Sequence, residues 1–168
     1  MTVDGLLVAR HKREVRRRVG FIFSDPDRQI IMPTVIEDIE LSLRRTDLDK
    51  KQRAVRALEV LERFGLAQHA DHPAQRLSGG QKQLLALASI FVTDPAIIVA
   101  DEPTTLLDLR NTRMLTDVFA SLDEQLIVVS HDLDILDGFD RVIVIDEGRV
   151  VADDEPAPAI AFYRTLMS

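Results

Sequence analysis

Residues 77–83 read LSGGQKQ, a serine and two glycines ahead of amide and ammonium side chains at what reads as a helix start. Backbone N–H groups at such a start form an anion cradle, so the stretch predicts a phosphate grip. It is not a phosphate loop of the usual kind. No Gly-Lys-Ser/Thr follows, and the dipeptide Gly-Lys occurs nowhere in the chain.

A second candidate is IIVADE, residues 97–102, an apolar strand that delivers two carboxylates at its C-terminal end. Ligands of open α/β sheets bind at that edge. The acids divide naturally in nucleotide hydrolysis: Asp101 to hold Mg²⁺ through water, Glu102 to polarise the attacking water as general base. Alone, the pair reads more readily as a strand ending in an acidic helix cap, and Asp108 in the following PTTLLD as an ordinary cap. The next apolar strand ends in SHD, which brings His131 to the same edge, where an imidazole can hydrogen-bond a terminal phosphate. His11, His69 and His72 have no spacing that suggests a metal site.

These residues need elements to hold them. MTVDGLLVAR predicts a broken strand or hairpin turning at Asp4-Gly5, and HKREVRRR (11–18) a solvated basic helix face or turn. VGFIF (19–23) reads as a strand ended by SDPDRQ. Thr34 and Glu37 form a capping box for an amphipathic helix through Val35, Ile39 and Leu43. Residues 47–64 predict a second helix, with Ala54, Leu58, Leu61 and Phe64 on its apolar side and Gly65 as C-cap. The helix after LSGG runs to about Val92. Strands at 96–101 and 125–130, both read as buried, flank a helix over 109–122. A short helix (132–139), a hairpin turning at Glu147-Gly148, and a Pro turn with a last short helix complete the chain. Apolar runs without alternation, separated by helices, predict a mostly parallel sheet covered on both sides, in a single α/β unit.

Bulk properties exclude several classes. A net charge of −7, with one Tyr and no Trp, argues against a nucleic-acid partner or a base-stacking platform. Absent cysteine rules out disulfides and thiolate metal sites. No apolar run approaches a membrane span, so membrane association must come through a partner.

LSGGQ, a strand ending DE, TLLD and a strand ending SHD occur here in one order, and in that order the chain resembles the ATP-binding cassette (ABC) ATPases over essentially its whole length. LSGGQKQ is similar to their signature motif, IIVADE to the Walker B strand with its catalytic glutamate, TLLD to the D-loop and VVSHD to the switch histidine. The resemblance implies an α/β, P-loop NTPase-like nucleotide-binding domain, mostly parallel sheet flanked by helices, with a helical subdomain over about 30–92. It implies ATP and Mg²⁺ as cofactors, with Asp101 toward the metal, Glu102 and His131 catalytic, and Ser78, Gly79, Gly80, Gln81 and Asp108 toward nucleotide.

In the family two such domains pair head to tail, and each ATP lies between one domain's phosphate loop and the other's signature. The phrases DPD-x-Q, PTV-x-ED and DEPTTLLDLRN resemble the energy-coupling-factor type, which drives uptake of cobalt, nickel and vitamins, and the whole is similar to the ATPases of biotin transporters. That implies a peripheral place on the cytoplasmic face of the membrane. A groove around residues 29–40 would take a coupling helix from a membrane-embedded partner, with Gln29, Glu37, Asp38 and Glu40 facing it.

Two departures stand out. Ser24 occupies the place of the family's strand-end glutamine. The family's opening, an adenine-stacking aromatic residue, a strand and the Walker A loop, is missing, so Met1 is expected to be internal to a longer gene. The isolated chain is then expected neither to bind ATP tightly nor to hydrolyse it. Alternatives left open are a partner lending only its signature motif to another cassette, a cassette ATPase of DNA repair, and a ribosome-binding cassette. Against the last two weigh the acidic charge and the absence of coiled-coil heptads and basic extensions.

Overall fold

In the computed structural model, which describes residues 1–168, the chain reverses at Asp4 and Gly5, whose φ angles are 47° and 74°. The turn joins β1 (Thr2–Val3) to β2 (Leu6–Leu7) as the expected hairpin. The basic run becomes α1 (Lys12–Arg18), with Val15 its one buried residue. β3 follows at once (Val19–Ile22).

Three helices owe their ends to local chemistry. α2 (Val35–Leu43) starts at Thr34, whose N–H and hydroxyl both donate to Glu37 Oε2, at 3.2 and 2.7 Å. α3 (Lys50–Arg63) starts three residues later than expected, because Asp49 and Gln52 cap each other reciprocally at 2.9 Å. Gly65, at φ 67°, ends it, and Leu66 N–H donates to Leu61 O at 2.7 Å. α4 (Gly79–Phe91) starts at Ser78.

The buried stripe of α3 differs from expectation. Ala57, Val60, Leu61 and Phe64 are inside, whereas Leu58 is 45% exposed and Ala54 only half-buried. Both sets obey helical spacing and share Leu61 and Phe64, so the choice falls to packing. Within one core cluster Ala57 and Phe64 join Val35, Ile39 and Leu43 of α2 and Leu84, Leu85, Leu87, Ala88 and Phe91 of α4. Truncating such a fully buried leucine costs about 2–5 kcal/mol.

β3 pairs in parallel with β4 (Ile97–Asp101), and β4 with β5 (Gln125–Val129), β4 lying in the middle. Between β4 and β5 the chain forms α5 (Leu109–Ala120). One face of the sheet is buried, through Ile22, Ile98 and Ala100 in the same cluster as the helices. The other face departs from the expected double cover. Its middle row, Phe21, Val99 and Ile127, lies in register, with Phe21 42% and Ile127 46% exposed. A branched or aromatic strand residue has the same composition whether covered or not, so an unbroken apolar run does not distinguish these cases.

The first compact unit is Met1–Val129 and the second Ser130–Ser168. In the second, β6 (Val142–Asp146) and β7 (Arg149–Asp154) form the expected hairpin, reversing through Glu147 and Gly148 at φ 45° and 73°. α6 (Pro156–Leu166) buries Ala159 and Ile160 and packs on this hairpin and on a 3₁₀ turn over Leu133–Gly138. It starts on Pro156 itself, not after a separate turn, because the first helical position needs no N–H.

Candidate functional site

The start of α4 is built from its own sequence. Ser78 Oγ accepts from Gln81 N–H at 3.3 Å, and Gln81 Oε1 accepts from Ser78 N–H at 2.9 Å. This closes two orphan donors, Ser78 N–H and Gln81 N–H, and leaves the N–H groups of Gly79 and Gly80 without a partner in the chain. Two free donors at the positive end of a 13-residue helix, with no Cβ beside them, fit an anionic oxygen. A Cβ on Gly79 would meet only Leu106 Cδ1, at 4.0 Å, so nothing fills the cradle. At Gly80 it would stand 3.1 Å from Leu106 O. The glycine therefore lets the helix approach the 104–108 loop closely.

That loop leads into α5, where Asp108 Oδ1 accepts from Asn111 N–H at 2.8 Å. Asp108 is thus a helix cap, exposed beside the same turn that Gly80 touches.

At the carboxyl edge of the sheet, Asp101 ends β4 opposite Val129, on the exposed face that also carries Val99. Glu102 then takes φ 49°, a left-handed conformation that costs a non-glycine residue about 1–2 kcal/mol and turns its N–H onto Val129 O at 2.8 Å. Thr105 Oγ1 approaches Glu102 Oε2 at 3.4 Å. Adjacent carboxylates at a strand end suit Mg²⁺, which keeps several waters and takes one or two carboxylates plus phosphate oxygens. No group of three or more His, Asp and Glu forms a dedicated metal cage. His131 lies in the second unit, exposed and just ahead of the 3₁₀ turn, where Asp132 N–H donates to Ser130 Oγ at 3.1 Å.

The expected partner-facing set divides. Glu37 is exposed and Glu40 half-buried. Asp38 is a correction: it is 4% exposed, and its Oδ1 accepts from the N–H groups of Ile31 and Met32 at 2.8 and 2.9 Å. A carboxylate spent on holding that loop is not open to a partner's cation. Gln29 also turns inward. Its Oε1 accepts from Phe23 N–H at 3.1 Å and its Nε2 donates to Ala86 O at 3.4 Å, tying the end of β3 to α4. Ser24, beside it, is exposed.

Two features escaped the sequence. His69 and His72 connect to the start of α4 through Gln81 Nε2, which lies 3.0 Å from His69 Nε2. Gln83 is fully buried without a hydrogen bond. Neither spacing nor composition marks them, since the histidine contacts depend on how a loop folds back and the burial of Gln83 on what packs against α4.

Residues 2–105 match the family described as ABC transporter. The chain belongs to the ABC transporter ATPase family. A Bartonella quintana protein, provisionally named an ABC transporter ATP-binding protein, is 46% identical over 168 residues, all of this chain and 74% of the relative. The biotin transport ATP-binding protein BioM of Rhizobium etli is 47% identical over 148 residues, 88% of this chain and 66% of BioM. The energy-coupling factor transporter ATP-binding protein EcfA1 of Latilactobacillus sakei is 30% identical over 99% of this chain and 61% of its own length. Among solved structures, cbiO1 of Clostridium perfringens, part of the ABC transporter complex cbiONQ, superposes with a TM-score of 0.83 at 28% identity, covering 99% of this chain and 69% of cbiO1. A dimeric ATP-binding cassette in a post-hydrolysis state with ADP and Pi gives 0.81 at 29% identity, covering 92% and 72%. The α/β fold described above is thus that of an ABC nucleotide-binding domain, and no helix of the chain is long and apolar enough to cross a membrane.

Proposed function

We propose that this chain is the ATP-binding and ATP-hydrolysing part of an importer of the energy-coupling-factor type, carrying biotin or a cobalt or nickel ion. The observation that carries the reading is the pair of open N–H groups on Gly79 and Gly80 at the start of α4. In this reading they and Ser78 grip the terminal phosphate of a nucleotide held chiefly by a second cassette, with Gln81 keeping the turn in shape. Asp101 would hold Mg²⁺ through water, and Glu102 would take the proton of the attacking water. Asp108 would approach the nucleotide from the adjoining loop. For His131, contact with the terminal phosphate rests on the resemblance of VVSHD alone.

Bound MgATP supplies the phosphoanhydride whose cleavage drives transport. The names of BioM and EcfA1 support the importer class, and cbiO1's place in the ABC transporter complex cbiONQ supports membrane subunits as partners. Such partners imply a place on the cytoplasmic face of the membrane, with Glu37 and Glu40 as the acidic contacts for a coupling helix.

We further infer that the 168 residues alone turn over no ATP. They contain no Gly-Lys, and a phosphate-loop lysine with its amides makes most of the β- and γ-phosphate cradle. Isothermal titration with MgATP should show no micromolar binding, and micromolar binding overturns this point. The shared-site reading is tested by mixing the chain with a complete cassette ATPase whose own signature serine is disabled. Turnover should return with this chain and vanish with Ser78→Arg. No rescue by the unaltered chain sinks the reading.

A further inference from the structure

The cap of α4 extends into a chain of three side chains. Gln81 Oε1 is held by Ser78 N–H at 2.9 Å, which fixes its amide nitrogen as the atom 3.0 Å from His69 Nε2. On its other side His69 meets His72, Nδ1 to Nδ1 at 3.0 Å, with ring centroids 5.0 Å apart.

Only one arrangement of protons satisfies these contacts. Ser78 N–H is a donor, so the Gln81 oxygen must face it and the Gln81 NH₂ must donate to His69. His69 Nε2 is then bare and its Nδ1 carries the hydrogen, which it donates to a bare His72 Nδ1. That arrangement leaves each ring a single N–H. A proton on His69 would set N–H against the Gln81 amide, and one on His72 would set N–H against His69 Nδ1–H. Rotating the Gln81 amide relieves the first conflict only by turning NH₂ toward Ser78 N–H, which opens the cap.

We propose that His69, acting through Gln81, is a positioning residue for the start of α4, and that the His69–His72 pair must stay neutral for Ser78, Gly79 and Gly80 to hold an anion. Its functional consequence rests on the shared-site reading above.

No carboxylate masks the effect through an ion pair with either ring. Asp71 lies between the histidines in sequence, and Arg76 is on the next turn. The first turn of α2, which donates Val35 N–H to His72 O, carries Glu37, whose Oε2 accepts from Thr34, and Asp38, whose Oδ1 accepts from Ile31 and Met32. Lys82 of α4 pairs with Asp27 at 2.6 Å, and the last turn of α3, packed on the turn that holds His69, carries Glu62 and Arg63, the latter bonded to Ser121.

Two measurements test the proposal. Long-range ¹⁵N–¹H spectra of the 168-residue chain, which involve no nucleotide, should show His69 as the Nδ1–H tautomer and His72 as the Nε2–H tautomer at neutral pH. The Gln81 side-chain amide should shift as either ring protonates. The opposite tautomer at His69, or a Gln81 amide indifferent to acid, overturns it. In the mixed ATPase assay, turnover supported by this chain should fall as the pH is lowered, relative to the partner cassette's own profile. His69→Leu, which leaves the Gln81 amide unpaired, should lose roughly fivefold to tenfold at every pH. His69→Gln, which offers an acceptor that cannot charge, should restore neutral-pH turnover to within about twofold and flatten the acid limb, relative to the partner cassette's own profile. Should His69→Gln keep the acid limb, the positioning role is refuted. Absence of rescue by the unaltered chain would refute the shared-site reading, and the spectra would then decide the histidine network by themselves.

Discussion

Replacing Gln83 by Met should make the protein more stable. Gln83 has no exposure, and neither its Oε1 nor its Nε2 has a hydrogen-bond partner. An amide buried without partners costs about 1–3 kcal/mol on the scale of protein mutational data. Methionine is unbranched, of similar length, equally at home in a helix and adaptable in packing, so little is lost in exchange. The net gain is about 2 kcal/mol. With a urea dependence of about 1–3 kcal/mol per molar, that moves the unfolding midpoint up by roughly 1 M.

The probe matters, because the chain has no Trp and its one tyrosine, Tyr163, lies in the second unit, whereas Gln83 lies in the first. Far-UV circular dichroism in urea, with amide hydrogen exchange at residues 84–88 of α4, follows the correct unit. Gln83→Glu supplies the opposite sign, since it would bury a carboxylate where no cation waits. A midpoint for Gln83→Met that stays put or falls would mean that the amide is satisfied, as by a buried water, and would refute the reasoning.

Two further outcomes follow from single contacts. A Cβ at Gly20 would overlap Ile90 Cγ2 and press on Pro95 Cγ at 3.2 Å, so Gly20→Ala should cost about 1–3 kcal/mol. Combined with Ile90→Ala it should cost less than the sum of the two single changes in urea melts, and strict additivity would refute the overlap. In the second unit, Arg141 grips both oxygens of Asp153 at 2.6 Å, which, chiefly through the hydrogen bond, holds the Asp153 carboxyl below its ordinary value and raises Arg141 above its own. A carboxyl lowered by folding adds stability above the pKa it has unfolded, about 4, and loses it as pH falls through the folded value. Arg141→Gln should therefore raise the Asp153 midpoint in a ¹³C NMR titration, and an unchanged midpoint would show the pair to be immaterial in solution.

What could be read from the chain beforehand divides along a physical line. Helix starts, glycine stops and turn reversals are settled by hydrogen bonds spanning two to five residues. Ser78 with Gln81, Gly65 and Glu147-Gly148 therefore carry their structure in their own neighbourhood. The placement of the candidate site residues was legible for the same reason, since Asp101 and Glu102 sit at a strand end and Gly79 and Gly80 at a helix start. Burial is settled by residues far away. Leu58 and Leu61 differ by less than one helical turn, yet only packing against α2 and α4 decides which goes inside.

Asp38 shows how the two kinds of information collide. Its place in the first turn of an amphipathic helix predicts an open charge favoured by the helix dipole. The preceding loop folds back so that two N–H groups at Ile31 and Met32 meet its carboxylate. Substituting Asn, which keeps an acceptor oxygen at that position, should preserve the loop far better than Ala. The comparison separates a carboxylate that holds backbone from one that waits for a partner. If Asp38→Ala and Asp38→Asn destabilise α2 equally, the loop N–H groups are not what that residue is there to hold.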